Sequence, residues 1–476
     1  EEVSGQDLGW FFNAWLHDTA LLDYAVTGWK KKQLESGNWE VSLDICQRGD
    51  RFLPVKIHSV LKNGEIHETW YKNYLWRFND RFVFTVPYKP EKIILDPDGQ
   101  TVDLDRRNNQ TGLLKHEWMF NWPGMSYKPR DAYVVRWSPL LYFHELDGYM
   151  PGLHVSREYG PWEGTDLKMN YGLDSRELSW SVYLWRKPVH STSGMWWDLY
   201  GYDQIALGQF TVRIHGQWNK RYSIPPFHNW TLGFFHSNAQ DTSRTDLFDP
   251  GVVRGVFGRY KIQVGSQSAE LEMTTAPGSV SDWSFSRITV TMNSDISVKR
   301  FGILDRMTVG KIWSDDEGVP TQERYTIEGA GSGDIFSRPY LRDESSFYGI
   351  TELRSHYHLA GDANLRGYVG KGYAGTESII SNTAEVYYSQ PFLGINFTFA
   401  GFVDAGFLWG SQFEQGDNGF DGDFLADAGL GIRLEKNWFG KSFYLRLDSP
   451  FWLSTSSEDK NSIDFSRWVF SFSSGI

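Results

Sequence analysis

Three strand-like segments near the C-terminus set charged side chains where they can pair with one another. F-V-D-A-G at 402–406 carries Asp404, D-A-G-L-G-I-R at 427–433 carries Asp427 and Arg433, and L-R-L-D at 445–448 carries Arg446 and Asp448. Each segment alternates apolar and polar residues, so the charges fall on the face opposite the apolar side chains. Phe399 and Val403 share the face that Asp404 avoids; Ala428, Leu430 and Ile432 lie opposite Asp427 and Arg433; Leu445 and Leu447 lie opposite Arg446 and Asp448. A two-residue period with one apolar and one charged side is what a membrane-spanning barrel needs, lipid on one face and a polar lumen on the other. The chemistry open to such a set is electrostatic, carboxylates against guanidiniums. A fourth motif, L-R-G-Y at 365–368, adds Arg366, Gly367 and Tyr368.

Bond-making chemistry finds little support. A zinc peptidase needs H-E-x-x-H, with two His one helical turn apart on one metal. Here His67-Glu68 is followed by Tyr71 and His116-Glu117 by Phe120, so neither pair offers the second ligand. There is no G-x-x-x-x-G-K-[ST] and no G-x-S-x-G. The glycine-rich stretch from Gly329 to Gly333 suits a flexible loop better than a phosphate cradle. Gly429 and Gly431 lie within a strand, where close lumen packing explains them better than a nucleotide does. Asp315-Asp316-Glu317 and Glu414, Asp417, Asp421 and Asp423 are cation candidates that solvated extracellular loops explain better. Trp196-Trp197 and Trp118 to Trp122 read as interfacial girdle rather than cofactor platforms. No cofactor is expected.

The elements that carry these residues follow from composition and pattern. Aromatics make up 16% of the chain, with 22 Trp, yet mean hydropathy is negative. That pairing fits aromatic girdles around a polar interior. No apolar run approaches the length of a spanning helix, which leaves a closed barrel as the membrane-crossing option. The net charge of −12 argues against a nucleic-acid partner. The lone Cys46 rules out an internal disulfide and a cysteine-rich zinc site. The chain opens abruptly at Glu1-Glu2-Val3 without a signal peptide and reads as a mature or truncated fragment.

Residues 4–34 predict a helix, capped by Ser4 and carrying Leu8, Phe11, Phe12, Trp15 and Leu16 at helical spacing. Strands near 39–46, 51–61, 66–72 and 81–87, with Asn63-Gly64 as a hairpin turn, predict a small β-sandwich. The expected division is a helical part at 1–36, a sandwich at 37–107, a polar linker at 108–114 and a barrel at 115–476. Strands such as 131–143, 178–186, 210–218, 227–236, 251–264 and 283–297 follow one another to the chain end. Short connections at 390–395 and 437–441 alternate with longer polar ones at 410–423 and 454–462. That alternation predicts periplasmic turns and extracellular loops, and strands of 9–11 residues predict about 16 of them.

The C-terminal part resembles the bacterial surface antigen family, the outer-membrane barrels that include the barrel-assembly insertase and the two-partner-secretion transporters. The resemblance rests on L-R-G-Y, F-V-D-A-G, G-L-G-I-R and L-R-L-D in that order, with Pro139-Leu140-Leu141-Tyr142 to Asp147-Gly148 like the family's early hairpin. It implies that an R-G-Y loop tip folds into the lumen and that Arg366 meets Asp404, with Asp427, Gly429, Gly431, Arg433, Arg446 and Asp448 in support. The alternative is scattered charges facing water. Ile476 replaces the family's terminal aromatic, and no POTRA pattern fits residues 1–110. Those residues instead resemble the C-terminal end of an aminopeptidase N-type zinc metallopeptidase, through S-G-Q-D-L-G-W-F-F-N-A-W-L at 4–16 and I-I-L-D-P-D-G at 93–99.

The two resemblances imply an outer-membrane barrel anchoring a periplasmic peptidase-like module whose zinc domain is not in this chain. The alternative is a polypeptide insertase or translocation barrel, or a structural partner in an outer-membrane assembly complex. Expected partners are outer-membrane lipid and either polypeptide clients or other subunits of such a complex.

Overall fold

The structure, a computed structural model, describes residues 21–49, 52–72, 78–101, 103–122, 127–144, 148–189, 194–204, 207–218, 225–240, 249–315, 318–326, 361–368, 376–410, 424–438, 441–455 and 460–474. Two three-stranded sheets come first. One holds β1 (Tyr24–Gln33), β2 (Trp39–Gln47) and β5 (Asn79–Val86) in the order β1-β2-β5; the other holds β3 (Val55–Leu61), β4 (Ile66–Tyr71) and β6 (Pro90–Leu95) in the order β4-β3-β6. Val41, Leu43 and Ile45 from one sheet and Val55, Ile57 and Ile93 from the other are buried together, which is the sandwich core. Asn63-Gly64 makes the β3–β4 turn, with Gly64 at φ +87 where a Cβ would be strained.

The expected helix over 4–34 is corrected in its second half, where Tyr24–Gln33 forms β1 and the sandwich therefore begins ahead of residue 37. Gly28 and the β-branched Val26 and Thr27 are poor helix formers, and β2 offers a partner from Tyr24↔Gln47 to Gln33↔Trp39. Residues 4–16, with the helical spacing and the peptidase-like motif, lie outside the described residues. The polar linker expected at 108–114 bonds back to β6. Leu95 N–H donates to Asn109 O at 2.7 Å, and Thr111 N–H donates to Ile93 O at 2.9 Å. Burial pushes the Asp103 carboxyl up to about 7, against the opposing pull of the Tyr24 N–H that donates to it at 2.8 Å.

The rest of the described chain closes into one barrel. It opens with β7 (Lys115–Phe120), β8 (Ala132–His144), β9 (Gly148–Tyr159), β10 (Glu163–Tyr171), β11 (Leu178–Arg186), β12 (Trp196–Gln204) and β13 (Leu207–Trp218). β14 (Phe227–Ala239), β15 (Gly251–Val264), β16 (Gln267–Ala276), β17 (Phe285–Val298) and β18 (Phe301–Ser314) follow. β19 (Ser378–Phe392), β20 (Ile395–Trp409), β21 (Phe424–Trp438), β22 (Lys441–Thr455), β23 (Lys460–Ile463) and β24 (Val469–Ser474) complete it.

Neighbours from β8 to β22 pair antiparallel in sequence order. β23 and β24 both pair with β22 and share one place in the wall. The strands from β8 onward therefore agree with the expected number, and β7 is an addition to them. It lies between β24 and β8 and runs parallel to β8, from Lys115↔Ala132 to Phe120↔Trp137.

The outward face is apolar and exposed, as at Ile303, Val386, Phe399, Val403 and Leu430. Lipid is the environment in which that face costs nothing. Among the described residues no helix is long and apolar enough to cross a membrane; the crossing elements are strands. The sandwich is clamped to one rim of the barrel. Arg107 pairs with Glu163 of β10 at 2.7 Å and stacks over Tyr159 of β9, and Arg130 donates to the Asp103 carbonyl.

Candidate functional site

The long connection from β18 to β19 returns to the inside of the barrel at residues 361–368 and meets the inward faces of the C-terminal strands. Arg366 is 1% exposed, and Asp404 and Asp427 are 0% exposed, so this is a dehydrated charge cluster rather than a set of wetted lumen charges. The contrast within the same barrel is Arg259, whose side chain is 46% exposed beside Glu272.

The Arg366 guanidinium is a fork on Asp404: Nε donates to Oδ2 at 2.7 Å and Nη2 to Oδ1 at 2.9 Å. Two parallel charge-assisted bonds of this kind fix orientation as well as charge. Nη1 reaches Glu385 of β19 at 3.3 Å and Asp448 of β22 at 3.2 Å. The guanidinium plane lies 3.7 Å from the Phe402 ring centroid, so its apolar face is covered too. Burying a guanidinium demands partners for most of its donors, and here three carboxylates and an aromatic ring supply them.

The backbone of the tip is held as firmly. Gly367 N–H donates to Asp427 Oδ2 at 3.0 Å, and Tyr368 Oη donates to Ala426 O at 3.3 Å. Asn364 donates to Thr383 of β19 at 3.0 Å, and Arg306 of β18 donates to Gly361 O at 3.1 Å. Five consecutive strands, β18 to β22, thus hold one loop tip.

The glycines make room for it. A Cβ on Gly367 would sit 2.3 Å from Leu453 and 2.6 Å from Asp427 Cβ; one on Gly431 would sit 2.0 Å from Asp448 Oδ1. Gly429 marks a register shift between β21 and β22, and its Cβ would lie 2.2 Å from Ser449 O and 2.4 Å from Phe402. Close approach, not ligand binding, explains the G-x-G spacing.

Every site residue expected from the sequence is in or beside this cluster. Arg433 and Arg446 do not touch Asp404. Both pair instead with Glu385, Arg446 at 2.8 Å, and Arg446 also pairs with Asp448. Glu385 is the residue that sequence reasoning missed. It is 1% exposed and joins Arg366, Arg433 and Arg446. Its one sequence signal is the polar run Ser381, Thr383, Glu385 alternating with Ile380, Asn382, Ala384 and Val386, which no motif marks.

Asp315 is described, but Asp316, Glu317, the 411–423 acids and the 329–333 glycines lie outside the described residues. Among the described residues no group of three or more His, Cys, Asp or Glu is placed to hold a metal. Trp196 lies against His215, with ring centroids 3.8 Å apart, while Trp118 and Trp122 stand exposed.

No protein-family model matches the chain, and no curated protein matches it. Among solved structures it is similar to BamA from Haemophilus ducreyi lacking POTRA domains 1–3, with 14% identity, 73% of each chain covered and a TM-score of 0.42.

Proposed function

We propose that this chain is an outer-membrane barrel that admits extended polypeptide at its seam, as an insertase or translocation barrel. The observation that carries this reading is the inequality of the joints in its wall. β19 and β20 pair without a break from Ser378↔Trp409 to Phe392↔Ile395. The last strand is broken: β24 pairs with β22 from Val469↔Asp448 to Ser474↔Phe443, β23 pairs only at its other end, and Asp464–Trp468 between them is not strand. A wall fails where its hydrogen bonds are fewest, and an opened strand edge in lipid must find another strand.

The R-G-Y tip acts as a latch that keeps the adjoining stretch of wall, β18 to β22, rigid while the seam works. The sandwich faces the periplasm, where clients arrive. Polypeptide clients and outer-membrane lipid are its partners, with other subunits of an assembly complex beside them. A second reading, an anchor for a periplasmic peptidase, draws on the resemblance of residues 1–110 and on the Arg107–Glu163 clamp, which would hold a module firmly at the rim.

The test is catalysed assembly. The protein is reconstituted in phospholipid vesicles and given a urea-unfolded eight-stranded outer-membrane barrel protein, with folding read by its gel-mobility shift. The expected rate is about tenfold or more above empty vesicles, a barrier lowered by about 1.4 kcal/mol. A rate equal to empty vesicles would refute insertion and leave the anchor reading.

A further inference from the structure

We infer that β7 is a removable strand, a segment of the chain's own sequence that occupies the seam and must leave before another strand enters. The inference deepens the insertase reading above and rests on it for the identity of the incoming strand.

Three observations carry it. The first is direction. Among the paired neighbours in the described barrel wall, β7 and β8 are the parallel pair and the other registers are antiparallel. Parallel pairing is slightly weaker per residue. The second is extent. β7 pairs with β8 only up to Phe120↔Trp137, whereas β9 pairs with β8 as far as His144↔Gly148. Above Trp137, among the described residues, β8 pairs with β9 alone, and Pro139 there offers no N–H. The third is burial. No residue of β7 is buried, and Trp118 is 68% exposed, while Ala132, Val134 and Arg136 of the adjoining β8 are buried. A short, parallel, unburied strand costs little to release.

β7 is nevertheless built as wall. His116 stacks on Tyr133, and Phe120 meets Trp137 edge-on at 5.3 Å, so its aromatic residues share the outward face. Lys115 and Glu117 alternate with them and pair with each other at 2.7 Å. The strand that replaces β7 must carry the same alternation, apolar or aromatic outward and polar inward. Entering antiparallel to β8 and running its full length, it would gain hydrogen bonds that β7 does not make. β7 then protects the β8 edge from chance pairing and yields to a longer, better-matched strand.

Two measurements on the full chain in vesicles test this. Hydrogen exchange on the unmodified protein should show the amides of 115–120 exchanging about tenfold or more faster than those of β18. Equal protection would make β7 a fixed part of the wall and overturn the inference. The second measurement locks the joint with Glu117→Cys and Val134→Cys, a registered pair, in a Cys46→Ser background. The oxidised protein should assemble the eight-stranded probe no faster than empty vesicles and recover with dithiothreitol. A control lock at Val290→Cys and Val309→Cys across β17 and β18 should leave the rate unchanged. A seam lock that assembles the probe at the full rate would overturn the inference. If the unmodified protein itself fails to assemble the probe, the insertase reading falls, and exchange alone then decides whether β7 leaves. Exchange needs no variant, so a misfolded cysteine pair does not shield the proposal.

Discussion

Removing Arg366 tests the charge cluster where it is least able to adapt. The Asp404 carboxylate accepts three hydrogen bonds from Arg366: from its backbone N–H at 3.3 Å, Nε at 2.7 Å and Nη2 at 2.9 Å. Arg366→Ala therefore strands a fully buried carboxylate beside Asp427, its cross-strand partner. Breaking a buried pair from one side costs about 3–5 kcal/mol, because the charge left behind has no solvent to return to. Asp404→Ala should cost less, about 2–3 kcal/mol, since Arg366 keeps Glu385 and Asp448 within 3.3 Å. The double variant should fall short of the sum by about 2 kcal/mol, the coupling of a bidentate pair. The assay is guanidinium-induced unfolding in phospholipid vesicles, with protease cleavage of the β18–β19 connection as a local readout. Arg366→Lys should recover only part of the loss, because an ammonium cannot span two oxygens of Asp404 while reaching Asp448. A cost below about 1 kcal/mol for Arg366→Ala, or additivity within about 0.5 kcal/mol, would mean that the fork does not hold the tip.

Glu385→Gln leaves three guanidiniums short of one shared carboxylate and should destabilise the barrel by about 2–4 kcal/mol in the same unfolding assay. Gly431→Ala puts a methyl 2.0 Å from Asp448 Oδ1. It should cost about 1–3 kcal/mol and loosen the tip to protease, whereas Gly394→Ala, with nothing near its Cβ, should leave the tip intact. The Asp103 carboxyl, raised to about 7 in the fold from an ordinary value near 3.9, binds protons more tightly folded than unfolded. Its contribution is therefore complete below about pH 4 and is lost as pH rises toward 7, a swing of up to about 4 kcal/mol in sandwich stability. Thermal melts at pH 5 and pH 8 should show it, and Asp103→Asn should flatten the difference.

The inward face of the barrel was legible because strand parity leaves no freedom. Once Val403 faces lipid, Asp404 must face the lumen, and the same holds for Asp427 beside Ala428 and for Asp448 beside Leu447. Parity identifies a face but not a partner, so it could not tell that Arg433 and Arg446 go to Glu385 rather than to Asp404. Glu385 itself was hidden because a single acid in an alternating strand looks like any lumen residue. The Tyr24–Gln33 strand was misread because the apolar spacing of the preceding residues ran on into it, and only pairing with β2 distinguishes the two. β7 has the same alternation as its neighbours, and strand direction leaves no mark on a sequence.

The contacts of Arg366 reach residues 19, 38 and 82 positions away, on three different strands, and the next residue adds Asp427 on a fourth. Slipping any of β19 to β22 by one residue would turn its acid outward into lipid and leave the loop tip short of a partner, the guanidinium for β19, β20 and β22 and the Gly367 N–H for β21. The loop tip therefore proofreads the wall. A barrel that closes with one of these strands misaligned cannot seat Arg366, so correct registration and loop docking are reached together or not at all.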